Sequence, residues 1–394
     1  MSKSKKNYGC MMLVALCVAN FIPNYAQYQL SPFAASIMSE FNISASQFSS
    51  LFTAPMIPAI LLSLEAGMMI DKFNPKLVMG IAIGITMIGT ILAALSGSYF
   101  MLFAALFMIG VGAAFINCNQ AKLISGWYTP EKVTGKMGIV MGASTIAMAV
   151  ALATTSLFSS RKAASTVSAI GGVIAFILWI VLYKVPEESG FEKDHAGEPG
   201  VIDGLKVVVK NKNIYIIAAC MMAIMGANVV IGSFAPTALQ ERGIDAVAAG
   251  TYSAVYTIGC FLSCFIAPIV AEKLRSVKKT VILFAILAFF GTGFSVSYVP
   301  AGILLGAAML LTGIFVGGSI PLLLGLPVQL KGVGPLYAGT AGGFISTIEL
   351  IGAVVIPGYI LVPISAGNYN ILFLAGGICM LICAAIAILL PRTE

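Results

Sequence analysis

Gly67-Met68-Met69-Ile70-Asp71-Lys72-Phe73-Asn74-Pro75-Lys76 is a charged island between two long apolar runs. Apart from Glu65, no Asp, Glu, Lys or Arg occurs from Phe41 to Ala66, and none from Leu77 to Ala121. Such a decapeptide has to be a water-facing joint between two buried segments. The rest of the chain repeats the pattern. Of 394 residues, 59% are hydrophobic and 9% charged, where a soluble domain carries about 25% charged residues. A bilayer-spanning helix needs about 20 mostly apolar residues. Twelve such runs stand at roughly 10–37, 45–70, 77–97, 99–124, 135–158, 164–183, 213–239, 247–271, 279–299, 301–328, 336–362 and 369–390. A membrane β-barrel would instead show weak alternation in segments of about ten residues.

Basic residues set the orientation, since Lys- and Arg-rich loops stay in the cytoplasm. With the N-terminus inside, the inner segments hold Lys3, Lys5, Lys6, Lys72, Lys76, Lys132, Lys136, Lys273, Arg275, Lys278, Lys279, Lys331 and Arg392, and the outer ones only Arg161, Lys162 and Arg242. The expectation is a multi-pass protein of the cytoplasmic membrane with both termini cytoplasmic. The opening Met-Ser-Lys-Ser-Lys-Lys and the long run after it read as a retained first helix, not a cleaved leader. A net charge of +7 is explained by a basic inner face and calls for no nucleic-acid partner. All eight cysteines lie inside apolar runs and read as small hydrophobes. The pairs Cys260/Cys264 and Cys379/Cys383 have one-turn spacing but no His or carboxylate beside them, so no metal site is expected. His195, the only histidine, falls in a polar stretch and reads as solvated. No nucleophile–base pairing or phosphate loop supports an enzyme, and no cofactor is expected.

The polar stretch from Lys184 to Lys212 divides the chain into 1–183, a linker of 184–212, and 213–394. The halves echo each other. Gly67-x-x-x-Asp71-Lys72 is answered by Pro268-x-x-x-Glu272-Lys273 at an offset of 201, Gly110 in helix 4 by Gly313 in helix 10 at 203, and Gly135/Gly138 by Gly339/Gly342 at 204. Duplicated six-helix halves with one motif at the same joint describe a transporter built of parallel repeats.

On these residues the chain resembles the major facilitator superfamily over essentially its whole length. The family signature between helices 2 and 3 runs Gly-x-x-x-Asp-Arg/Lys-x-Gly-Arg/Lys-Arg/Lys. Gly67, Asp71, Lys72 and Lys76 fit it, whereas Asn74 and Pro75 depart from it. The resemblance implies an all-α membrane fold of twelve helices in two pseudo-symmetric six-helix bundles. It also implies that Gly67, Asp71, Lys72, Lys76, Glu272 and Lys273 form cytoplasmic gate elements, with Asp71 near the start of helix 11 around Tyr337 to Thr340 and Glu272 near the start of helix 5 around Thr134 to Lys136. A carboxylate at the positive end of a helix is favoured there. Helix 4 of the family places an Arg before Gly-x-Gly-Ala-Ala; here Gly110-Val-Gly112-Ala-Ala is present and the Arg position is Leu106, which weakens a borrowed proton-antiport mechanism. Helix 5 lacks the Gly-Pro motif of drug exporters. Trp127-Tyr128-Thr129-Pro130 resembles the junction of the nitrate/nitrite, cyanate and oxalate–formate branches.

Ionisable groups inside the membrane are costly and usually face a cavity. Glu65 and Lys122 lie near helix ends, where snorkelling satisfies them. Glu349, twelve residues into helix 11 and expected near mid-bilayer, has Ser346 and Thr347 beside it and no base nearby in sequence. It reads as the coupling residue. Uncharged polar residues gather in the helices that line the cavity in this family: Asn20, Asn24, Gln27 and Tyr28 in helix 1, Asn117 and Gln120 in helix 4, and Asn228 in helix 7. Tyr252 and Tyr256 follow in helix 8. These are the expected substrate contacts, against the alternative of interhelical hydrogen bonds worth about 0.6 kcal/mol each. Pro23, Pro32, Pro55, Pro58, Pro321, Pro327 and Pro357 should bend helices 1, 2, 10 and 11. The resulting reading is a monomeric secondary transporter moving a small organic anion, a monocarboxylate or a polar metabolite by alternating access, with Glu349 handling a proton. Its rivals are a proton-driven multidrug exporter and a non-transporting membrane sensor.

Overall fold

Breaks stand at Pro32, Pro55, Pro327 and Pro357 in the computed structural model, which describes residues 3–72, 74–125, 127–128, 130–183, 201–330 and 333–391, whereas Pro23, Pro58 and Pro321 sit inside continuous helices. The residues fall into two compact units, Met1–Ile43 with Ser50–His195 and Ser44–Ser49 with Ala196–Glu394. The helices up to the linker are α1 (Lys3–Tyr28), α2 (Ala34–Phe41), α3 (Ala45–Thr53), α4 (Met56–Lys72), α5 (Pro75–Leu95), α6 (Tyr99–Ser125), α7 (Pro130–Thr154) and α8 (Arg161–Leu182). After it come α9 (Val201–Lys210), α10 (Lys212–Glu241), α11 (Ala246–Lys273), α12 (Val277–Tyr298), α13 (Ile303–Gly325), α14 (Gly334–Val355), α15 (Val362–Ser365) and α16 (Tyr369–Ala387). Among the described residues eleven spans are long and apolar enough to cross a membrane, and twelve if α3 and the start of α4, bent by 49° around Pro55, count as one. Twelve spans are what the sequence predicts.

The first expected helix is interrupted: α1 ends at Tyr28, and Pro32 sits in a 3-10 turn before α2. Pro357 falls in a π-helical stretch, Ile356–Leu361, and Pro327 opens a 3-10 turn after α13. The joint at 73–76 explains its own departures from the family pattern. Asn74 is the N-cap of α5, its Oδ1 accepting from the Lys76 N–H at 2.9 Å, and Pro75 occupies the first helical position. That pair is a strong helix start, because the Asn satisfies an orphan donor and the Pro lacks one. One part of the expected linker is also ordered, since Val201–Lys210 forms α9, with Val208 fully buried as the helix packs on α14. Pro186 to Pro199, including His195, lies outside the described residues, as do Lys331 and Arg392.

Both units use one pairing scheme. In the first, α5 packs on α6 and α8, α4 on α6, and α1 on α7 and α8; in the second, α12 packs on α13 and α16, α11 on α13, and α10 on α14 and α16. Small residues allow the closest crossings. A Cβ added at Gly110 would strike the backbone of Pro55, and one at Gly313 the carbonyl oxygen of Tyr256. The two glycines matched by sequence thus sit at the same crossing in each unit. Large apolar side chains such as Leu77, Phe100, Ile303 and Leu304 face outward, where a bilayer solvates them.

Candidate functional site

The polar residues of α1 separate by face. Its partly open stripe runs through Val14, Val18, Phe21, Asn24 and Tyr28, at the steps that share one side of a helix. Of the four expected contacts, Asn24 and Tyr28 lie on this stripe. Asn24 donates to the Asn20 carbonyl at 2.8 Å, and Tyr28 meets Phe52 edge-on at 5.2 Å. Asn20 and Gln27 turn into the bundle. Asn20 is 1% exposed and donates from Nδ2 to Val140 O at 3.1 Å, leaving Oδ1 without a partner among the described residues. Gln27 donates to Phe52 O at 2.8 Å, tying α1 to α3. In α6, Gln120 is buried and donates to Asn117 Oδ1 at 2.9 Å, while Asn117 stays exposed.

In the second unit the partly open side of α10 carries Met222, Met225 and Asn228. Asn228 accepts from Tyr256 OH at 2.7 Å and approaches Met225 Sδ at 3.7 Å. Tyr252 is committed differently. Its hydroxyl accepts from the Gly302 N–H at 2.9 Å, holding the turn before α13, where Gly302 has a φ of 127°.

Glu349 is 8% exposed, and among the described residues no hydrogen bond or ion pair reaches its carboxylate. Its depth follows from how α14 runs beside α10. Gly352 abuts Met222 and Gly226 abuts Ile356, so the position level with Asn228 is near Gly358. Glu349 therefore stands about nine residues, roughly 13 Å, toward the Lys212 end of α10 from Asn228. Ser346 and Thr347 do not satisfy it; Thr347 donates to Gly343 O at 3.0 Å.

The side chains of Gly67, Asp71 and Lys72 lie outside the described residues, as do those of Lys122, of 131–135 and of 334–339, on which the expected latch partners fall except Thr340, which is half-buried, and Lys136, whose Nζ stands 5.1 Å from the centre of the Tyr128 ring. Lys76 is half-buried, and Glu272 and Lys273 are exposed at the end of α11, as is Glu65 in α4. Trp127 is buried in the core of the first unit beside Met12 and Leu123, and Tyr128 lies against Gly9.

Sequence reasoning placed Arg161 only among the few bases of the outer loops. In the structure it is 6% exposed and uses all five of its N–H groups: Nε and Nη2 donate to Glu40 at 3.1 and 3.0 Å, Nη1 to Ala93 O at 3.3 Å and Ser96 Oγ at 2.8 Å, and Nη2 to Ser96 O at 2.8 Å. This cluster closes one end of the antiparallel pair α5 and α8. Trp179 Nε1 closes the other, donating to Lys76 O at 3.1 Å. The only trace in sequence was the N-cap Ser160, which accepts from Ala163 N–H at 3.2 Å and fixes where α8 begins.

Residues 16–357 match the profile of the Major Facilitator Superfamily. The chain belongs to that superfamily. With eleven or twelve apolar spans among the described residues, it is a multi-pass membrane protein of that superfamily. Among curated relatives, a protein named as a probable sulfoacetate transporter, SauU, of Cupriavidus necator is 30% identical over 113 residues, 28% of this chain and 26% of that one. The nitrate/nitrite transporter NrtP of Nostoc punctiforme is 22% identical over 180 residues, 43% of this chain and 36% of that one. The chain thus spans about a quarter to a third of the length of these relatives. Among solved structures, a bacterial homolog of the human lysosomal transporter Spinster superposes with a TM-score of 0.82 at 16% identity, covering 97% of each chain. The nucleoside transporter NupG gives 0.78 at 15% identity, covering 98% of this chain and all of the other. At those identities the superfamily fold is what is shared.

Proposed function

We propose that this superfamily member carries a small organic anion of the monocarboxylate class across the cytoplasmic membrane together with a proton, which Glu349 accepts and releases. The carrying observation is the isolation of that carboxylate, 8% exposed with no partner among the described residues. An unpaired carboxylate taken out of water costs several kcal/mol, and the neutral acid avoids that cost. Protonation and release as Glu349 gains and loses contact with water would tie solute movement to proton movement. A proton travelling with a monoanion makes the step electroneutral, which suits open helix stripes holding Asn24, Tyr28 and Asn228 and no described Lys or Arg. Two partial relatives are named for anions, sulfoacetate and nitrate or nitrite, which supports an anionic cargo. The Lys- and Arg-rich joints support both termini inside.

Reconstituted protein should take up a labelled short-chain monocarboxylate when an inward proton gradient is imposed. Glu349→Gln should abolish gradient-driven accumulation while sparing exchange of labelled for unlabelled solute. Normal accumulation with unchanged pH dependence in Glu349→Gln would remove Glu349 from coupling. Uptake of neutral solutes and no carboxylate would overturn the substrate class.

A further inference from the structure

Between α5 and α8 the first unit carries an open apolar groove of about 590 Å³, lined by Leu77, Gly80, Ile81, Gly84, Ile85 and Ile88 on one side and by Phe176, Trp179 and Ile180 on the other. Its floor exists because two glycines lie one helical turn apart. A Cβ at Gly84 would stand 3.2 Å from the Phe176 ring, and one at Gly80 would stand 3.7 Å from Trp179. At one end are Lys76 and Asn74, at the basic joint; among the described residues Lys76 has no carboxylate partner. From Lys76 to Ile88 the groove runs about 18 Å along α5, close to the roughly 15 Å depth of one leaflet of the hydrocarbon core. The second unit provides an internal control. At the 202-residue offset that matches the N-caps Asn74 and Ser276 of α5 and α12, Gly80 and Gly84 become Ile282 and Ile286, and Ile286 is 40% exposed, so side chains stand where the glycines leave the floor open.

We propose that this groove is a binding site for one anionic phospholipid, its acyl chain lying over Gly80 and Gly84 and its phosphate held by Lys76. The groove is apolar where a chain would lie and positive where a headgroup would be, and its length is that of one leaflet. Anionic headgroups at the inner surface are drawn to Lys and Arg beside spanning helices. Zwitterionic lipid fits the apolar part equally well but gains less from Lys76.

Native mass spectrometry of the full chain, released from nanodiscs holding equal amounts of phosphatidylglycerol and phosphatidylcholine, tests this. The expected result is a single retained lipid with a roughly fivefold preference for phosphatidylglycerol, the scale of one basic side chain near a membrane surface. Lys76→Gln should equalise the two lipids. Gly80→Leu should reduce retention of both. Equal retention by the unaltered chain, or a preference that survives Lys76→Gln, overturns the proposal. So does Gly80→Leu changing the oligomeric state without changing lipid retention, which would assign the groove to a second copy of the chain.

Discussion

At the scale of single residues, Arg161 shows what burial does to a charge that looks ordinary in sequence. A guanidinium has five donors in a fixed fork and no acceptor, and at 6% exposure each unused donor would be a penalty. Here Glu40, Ala93 and Ser96 take all five, and the Phe41 ring lies 5.1 Å from the guanidinium carbon. The partners come from the ends of α2 and α5, so the side chain holds three helices at one level. Truncation in Arg161→Ala strands the carbonyls at the end of α5 and is expected to cost about 3–5 kcal/mol, read as a large fall in the thermal midpoint of the detergent-purified protein. Glu40 is 39% exposed at its side chain, so Glu40→Gln should cost no more than about 1 kcal/mol. Equal losses in the two variants would show that the ion pair, and not the capping of α5, is what matters. None of this was legible from sequence, because a base two residues after a loop looks the same whether solvated or buried, and its carboxylate partner is 121 residues away. Glu349 was legible because a lone carboxylate inside an apolar run is conspicuous wherever it points. Its level along α10 was not, since that depends on the stagger of α14 against α10.

At the scale of elements, the joints and kinks could be read in advance and the helix faces could not. Proline removes a backbone donor, and the 49° bend at Pro55 and the π-helical stretch at Pro357 stand where those residues do, whereas Pro23 and Pro321, inside the continuous helices α1 and α13, leave no break. Which way Asn20 or Gln27 turns is decided by neighbours that sequence periodicity cannot see when a helix is apolar on nearly every side. That is why half of the helix 1 candidates face Val140 and Phe52 rather than the open stripe. Glycines discriminate more sharply. Gly110 meets the Pro55 backbone, while Gly342 in α14 has nothing within 4 Å of an added Cβ. Backbone cannot give way as a flexible side chain can, so Gly110→Val should abolish recovery of folded protein. Gly342→Ala should leave it intact and gain about 0.5–1 kcal/mol in helix propensity. Fluorescence-detected size-exclusion chromatography of the two variants checks this, and a monodisperse Gly110→Val would show that the α4–α6 crossing is looser than the geometry implies.

At the scale of the whole molecule, duplication reaches further than the sequence matches on which it was inferred. Arg161 caps the carbonyls of Ala93 and Ser96 at the end of α5. Arg242 caps those of Val296, at 2.5 Å, and Val299, at 2.7 Å, at the end of α12, both 203 residues on. The acceptors repeat while the donor changes element, coming from the start of α8 in one unit and the end of α10 in the other. What repeats is the closing of that helix end and not the arginine that does it, which is why aligning the basic residues of the halves does not reveal the correspondence. The same logic separates α9 from the linker in which sequence composition placed it. Its polar residues made it read as solvent-exposed chain, yet Val208 is fully buried and the helix packs on α14. A buried Val contributes about 1.5–3 kcal/mol, so a fragment of residues 196–394 should unfold at a higher temperature than one of residues 212–394, by on the order of 5 °C. Val208→Asp in the longer fragment should reproduce the loss. If the two fragments melt together, α9 is a passive tether, and the second unit begins at Lys212 as composition alone would have it.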